Sequence, residues 1–400
     1  MAAAEPDRRR AVAVLAALML AAFTFNTTES LPIGLLRLIS ADLGVSLPAI
    51  GYLVTGYGLT VAVASLPLAH ATRAVPRRHV LSALLAALAL ASLLPAAGSS
   101  YRLLLAARLV TALAQALFWA VMGPVAVGLF PPEARGRVVG VLSAAGSLAL
   151  VLGVPAGTWL GRRGGWQLPL VVVAGLGLVS LLVIALLLPT TRPDQGHAAY
   201  AATRDTRRFA IVLATTALSV TGAFTGYTYL VDLLGTSGFS DSAVGALLLV
   251  SGVSGVLGVS AVGPLLDRFP RGTLITPVAT QAVGMLGLYT AGGSRPAAVA
   301  ALVVLGGSLG PVFTATQNQM LRCAPGRTEI ALAANSGAYN AGIAAGALLG
   351  GLVLHGTAVR QTFLAGGLLT LAALAVLLVG GQPLPRRMAL TRSRTVLRTR

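Results

Sequence analysis

The chain has 400 residues, 56% of them hydrophobic and 10% charged, with a net charge of +18. So few polar residues cannot coat a soluble globule of this size, which excludes an ordinary water-soluble fold. All 29 basic residues are arginine, and without lysine there is no Walker A loop to drive an ATPase motor and no Schiff base for retinal or pyridoxal phosphate.

In chain order, apolar stretches fall near 11–36, 48–70, 79–98, 101–123, 137–160, 166–188, 208–231, 243–266, 273–291, 296–320, 328–354 and 360–380. About 20 apolar residues carry a helix across the hydrocarbon core, so each predicts one crossing. The first follows Arg8, Arg9 and Arg10 and runs well past the length of a signal-peptide core, so it reads as a retained helix. Between the sixth and seventh, residues 189–207 are polar and aperiodic, which predicts a connection between two halves. The predicted organisation is all-helical: a six-helix half at 1–188, a cytoplasmic linker at 189–207, a second six-helix half at 208–380 and a basic cytoplasmic tail at 381–400. The second half repeats the first at an offset of 194: Gly44, Ser46, Ala49, Gly51 and Leu53 match Gly238, Ser240, Ala243, Gly245 and Leu247, and Pro76 and Arg77 match Pro270 and Arg271. Such duplication is one plan for a transporter with its site between the halves.

With the N-terminus inside, inner segments hold 22 arginines and outer segments six, Arg37, Arg102, Arg162, Arg163, Arg295 and Arg360, while Arg108 lies within a span. This asymmetry predicts a multi-pass membrane protein with both termini in the cytoplasm, and the Arg- and Ala-rich composition points to a bacterial inner membrane. The net charge therefore reflects topology and contact with anionic membrane lipid, and no nucleic-acid partner is expected. His70, His79, His197 and His355 are scattered, no HExxH occurs, and Cys323 is the lone cysteine, read as a small filler residue. No metal site, intramolecular disulfide or catalytic cluster is expected, hence no enzyme and no cofactor beyond a proton gradient.

Two charges inside the spans stand out. A carboxylate at mid-membrane is costly, by about 3 kcal/mol for Asp on insertion scales, so Glu29 should face protein or a watery cavity. Desolvation favours its neutral form, which makes it a candidate proton carrier. Glu29 and Arg108 each lie seven residues from the outer ends of their predicted spans, about 10 Å deep. They are positioned to meet, either as a coupling pair or as a static ion pair ordering the first half.

Several motifs carry a resemblance. Thr28-Glu29-Ser30-Leu31-Pro32-Ile33-Gly34-Leu35-Leu36 followed by Ala41-Asp42-Leu43-Gly44-Val45-Ser46 resembles the major facilitator superfamily, nearest its twelve-helix drug:proton antiporters, which include arabinose-efflux-like and chloramphenicol-resistance exporters. Gly263 to Arg271, with Asp267, Arg268 and Arg271, looks like that family's G-x-x-x-D-R-x-G-R loop with Pro270 for the last glycine. In the first-half copy Arg73 replaces the acid. Arg108 matches the fourth-helix arginine, and Gly153, Pro155 and Gly157 lie in a stretch resembling the fifth-helix motif of antiporters. The resemblance implies the major facilitator fold, with Asp267, Arg268, Arg271, Gly153, Pro155 and Gly157 in gating. The rival readings are a solvated loop for the first three and close helix packing for the glycines, as for Gly342, Gly346 and Gly350.

In that superfamily spans 1, 4, 7 and 10 line the cavity, which makes Asn26, Glu29, Arg108, Gln115, Trp119, Phe224, Thr225 and Tyr229 candidate substrate contacts, and the polar stripe of span 11 adds Asn335, Tyr339 and Asn340. Hydrogen bonding and packing between helices are the alternative for each. Asp232 reads as a boundary residue. The expected protein is a monomeric secondary transporter that exports a small organic compound, drug or metabolite, against protons by alternating access. A sugar or nucleoside efflux permease, a non-transporting sensor and a channel are the rivals.

Overall fold

The computed structural model describes residues 8–45, 47–98, 100–190, 205–291, 293–324, 328–354 and 357–380. Most of the linker and the whole C-terminal tail lie outside the described residues.

Fourteen α-helices run through the described residues. The first half holds α1 (Arg8–Leu43), α2 (Leu47–Ala71), α3 (Arg77–Ala97), α4 (Tyr101–Gly128), α5 (Arg135–Leu148), α6 (Val154–Gly164) and α7 (Gln167–Leu187). The second holds α8 (Thr206–Tyr227), α9 (Leu230–Thr236), α10 (Asp241–Val262), α11 (Gly272–Thr290), α12 (Arg295–Cys323), α13 (Thr328–Leu354) and α14 (Arg360–Gly380). A π turn at Ala149–Gly153 joins α5 to α6 as one crossing, and α8 with α9 forms another. Ten crossings meet the length and hydropathy of a membrane span. The 25 residues of α2 and 19 of α11 have the length of a crossing but are not among those ten.

The ends follow local chemistry. Asp205 caps α8 by accepting from the Arg208 amide at 2.9 Å, and Ser240 caps α10 by accepting from Ala243 at 3.4 Å. Gly44 and Gly238, partners in the sequence repeat, both adopt the left-handed conformation, with φ of 62° and 81°. The repeat therefore preserves a turn that disfavours side chains, after α1 and after α9.

Packing repeats as well. In the first half α3 lies against α4 and α7, and α2 against α4; in the second, α11 lies against α12 and α14, and α10 against α12. The halves meet through two related contacts, α2 on α13 and α5 on α10. Outward faces are apolar: Leu90, Leu186, Leu257, Leu348 and Val379 are all exposed, as a surface bathed in lipid requires. The main departure from expectation is α1, which extends to Leu43, seven residues past the predicted outer end at 36. Glu29 is thus deeper along its own helix than the span count gave, yet reaches the level of Arg108.

Candidate functional site

The site begins with a proline. In a continuous helix the carbonyl of residue 28 accepts from the amide of residue 32, but Pro32 has no N–H. The stranded Thr28 carbonyl accepts instead from Arg108 Nη1, reaching across from α4. Arg108 Nη2 donates to the Glu29 carbonyl at 2.8 Å. The guanidinium also lies over the Tyr57 ring of α2, 4.2 Å from its centroid. Arg108 is buried, and its fork repairs a backbone break while stacking on an aromatic face, two tasks suited to a planar cation.

Arg108 therefore grips the backbone of α1; among the described residues no ion pair joins it to the Glu29 carboxylate. That carboxylate, half-buried, accepts from Gln115 Nε2 at 2.6 Å. The Tyr57 hydroxyl donates to Gln115 Oε1 at 2.6 Å, which fixes the amide with its NH₂ toward Glu29. Tyr57, Gln115 and Glu29 thus form one directed chain of hydrogen bonds across α2, α4 and α1, with the Arg108 charge beside it. Such an arrangement stabilises an ionised carboxylate and tolerates a protonated one, since either form can accept from the amide.

Below this cluster lies an aromatic plug. Trp119 meets Phe313 of α12 edge-on at 5.2 Å between centroids, and Phe313 meets Tyr339 of α13 at 5.0 Å. The row continues within the first half through Phe118 to Phe25. Asn26 Nδ2 donates to the Gly146 carbonyl at 3.1 Å, where a Cβ on Gly146 would press against both Asn26 and Trp119.

Gly153, Gly157 and Gly161 face Thr27, Leu31 and Leu35 of α1, and a Cβ at any of them would collide with those side chains. The π turn ends at Gly153, just before Pro155, so the crossing that clasps α1 carries a break of its own.

Two contacts join the halves at the loop ends of α2 and α10, the end predicted from the arginines to be the inner one. Asp267 accepts from the Gly136 amide, in the first turn of α5, at 2.5 Å and from Arg322 at 2.7 Å. Its acid thus sits on a helix N-terminus of the other half, where free amides and the helix dipole favour an anion. Gly140 and Gly263 meet there backbone to backbone. In the degraded first-half copy, Arg77 pairs with Glu329 of α13 at 2.9 Å, both nearly inaccessible at 4% and 3%. Arg268 and Arg271 are not part of these contacts: Arg268 lies over Phe269, and Arg271 starts α11 beside a separate cavity.

Several candidates are engaged elsewhere. Phe224, Thr225 and Tyr229 fill the α8–α13 interface against Gly346 and Gly350, and the Tyr229 hydroxyl donates to the Ala347 carbonyl at 3.1 Å. Asn335 accepts from Thr216 at 2.7 Å, fully buried, and Asn340 donates to the Ser336 carbonyl at 3.0 Å. Asp232 is exposed on α9. Sequence reasoning missed Tyr57, Phe313, Arg322 and the Arg77–Glu329 pair. A tyrosine at mid-span in α2 was the available signal for Tyr57; Glu329 offered none, because its partner is 252 residues away.

The Major Facilitator Superfamily model matches residues 18–329 and 209–396. The chain is 34% identical over 382 residues to a chloramphenicol efflux pump of Mycobacterium tuberculosis, covering 92% of each protein. It is 30% identical over 339 residues to a protein named "Probable sugar efflux transporter" of Mannheimia succiniciproducens, covering 84% of this chain and 85% of the other. Its fold is similar to the crystal structure of a human organic anion transporter, with a TM-score of 0.75 at 16% identity over 93% of this chain and 100% of that one. The helical architecture, the repeated packing and these matches agree: the chain belongs to the major facilitator superfamily of multi-pass membrane transporters.

Proposed function

We propose that this transporter exports a small amphipathic organic compound in exchange for protons, by alternating access. We further place it in a bacterial plasma membrane as a monomer with both termini and the 189–207 linker cytoplasmic. The observation that carries the reading is the Tyr57–Gln115–Glu29 chain beside Arg108: of the acids among the described residues, Glu29 alone sits deep within a span and away from a helix end. Protonation of Glu29 removes the charge that the Gln115 amide and Arg108 favour. If substrate binds best to the ionised site, proton and substrate compete, and each outward trip of substrate is matched by an inward proton. The coupling is a difference of affinities between two states, with no covalent step.

The nature of the walls supports an amphipathic aromatic substrate. Asn335, Asn340 and Gln115 already have protein partners, so these three amides are less available to read the hydroxyls of a sugar. Trp119, Phe313 and Tyr339 offer aromatic faces below the carboxylate. The chloramphenicol efflux relative makes that compound the first probe, and a sugar is the second reading because of the sugar efflux relative.

The test is flux in proteoliposomes with an acidic lumen. Chloramphenicol should accumulate inside as protons leave, and a protonophore should collapse the gradient. Accumulation toward the alkaline side, or uptake indifferent to pH, refutes antiport.

A further inference from the structure

A second cavity, of about 480 Å³, lies away from the Glu29 cluster, at the inner ends of α8, α11, α12 and α14. Its mouth carries Arg207, Arg208 and Arg271, and its wall is apolar, with Ile211, Leu274 and Leu377. We propose that this cavity binds an anionic phospholipid of the cytoplasmic leaflet, with the phosphate at Arg208 and Arg271 and an acyl chain along the apolar wall.

The mixed lining favours a lipid over a free anion, which has no use for an apolar wall of this length. Arg271 is exposed and, among the described residues, makes no side-chain hydrogen bond or ion pair. Arg208 keeps one donor on Gln319 Oε1 at 2.6 Å and has others to offer. The one acid at the mouth, Asp205, is committed to capping the Arg208 amide at 2.9 Å. Arginine's flat fork matches two phosphate oxygens at once. The neighbouring tail is an unfavourable occupant, since residues 381–400 carry six arginines and no acid. The site also touches the inner latch: Gln319, held by Arg208, donates to the Pro270 carbonyl in the loop that carries Asp267. Lipid in the cavity would therefore brace the second-half latch. This inference is independent of the substrate.

The full chain, purified in mild detergent, is titrated with phosphatidylglycerol or phosphatidylcholine, and retained lipid is counted by native mass spectrometry. Phosphatidylglycerol should be retained preferentially. Arg271→Gln should lower its retention about five-fold, the share of one arginine at a membrane surface, and Arg271→Lys should keep most of it. Leu377→Trp fills the wall without changing charge and should lower retention to a similar degree. Deletion of residues 381–400 should leave the preference intact. Equal retention of the two lipids, an unaffected Arg271→Gln protein, or a preference that disappears with the tail overturns the proposal. Displacement of phosphatidylglycerol by millimolar inorganic phosphate, with no effect of Leu377→Trp, overturns it in favour of a free anion.

Discussion

Pro32 and Arg108 should be energetically coupled although their side chains serve different helices. Pro32 strands the Thr28 carbonyl, and Arg108 Nη1 satisfies it. Replacing Arg108 by Gln leaves that buried carbonyl unpaired, at about 1–3 kcal/mol, and removes a desolvated cation from the Tyr57 ring, worth about 2 kcal/mol more. In a Pro32→Ala background, residue 32 regains an N–H that closes the ordinary intrahelical bond. Loss of Arg108 should then cost less by about 1–2 kcal/mol, the carbonyl's share. The assay is a double-mutant cycle of unfolding free energies in mixed detergent micelles, followed by tryptophan fluorescence. A parallel cycle with Glu29→Gln measures the charge–charge part. A Pro32–Arg108 coupling below about 0.5 kcal/mol, within ordinary additivity, would mean that Arg108 acts only through Glu29 and that the backbone repair is incidental.

Other expectations use the same geometry. Glu29→Gln should fold normally but bind substrate more weakly and without pH dependence, and lose pH-driven accumulation in proteoliposomes, because an amide copies the protonated acid but cannot release a proton; retained gradient-driven transport removes Glu29 from coupling. Arg77→Gln and Asp267→Asn should each open the inner face and speed maleimide labelling of Cys323, the lone cysteine, now buried, while Arg268→Gln should leave the rate unchanged. Gly157→Val should force α1 away from its neighbour at Leu31 and cost about 1–3 kcal/mol, read as lost expression or a lower melting temperature, whereas the same change at Gly175, which meets open space, should be mild. Reporter fusions after residues 197 and 400 should both report a cytoplasmic location, and an external signal from either refutes the arginine-based topology.

Much of the fold was legible because lipid imposes a simple grammar. A crossing needs an apolar run of fixed length, so α13 and α14 begin and end where composition placed them, at 328–354 and 360–380. The repeat was legible where it fixes backbone conformation, as at Gly44 and Gly238. Arg108 and Glu29 stood out because charge is expensive in a span. What they bond to was not legible. Periodicity says which face a residue occupies, but not that Arg108 would be spent on a carbonyl freed by Pro32, or that Gln115 would be oriented by a tyrosine from α2. Polar side chains in the second half looked equally available; Asn335 and Tyr229 hydrogen-bond within the protein, because in an interior without water most amides and hydroxyls are satisfied by protein partners.

The two inner contacts solve the same problem with different chemistry. Asp267 rests on a helix N-terminus and on Arg322, with both side chains partly exposed at 26% and 30%. Such a contact gains little and is easily exchanged for water. Arg77 and Glu329 are buried, and a buried pair gains in attraction roughly what it loses in hydration. Separating them into a dry interior would be prohibitive, but when the halves part, water enters and hydrates both ions. The net cost of opening is then small, while a half-open state with one ion desolvated and unpaired is strongly disfavoured. A buried pair at the seam therefore makes the transition closer to all-or-none without making the closed state hard to leave. In this chain the first-half loop, having lost its acid at Arg73, can still form the seam contact because the acid is supplied from the other side, by Glu329 on α13.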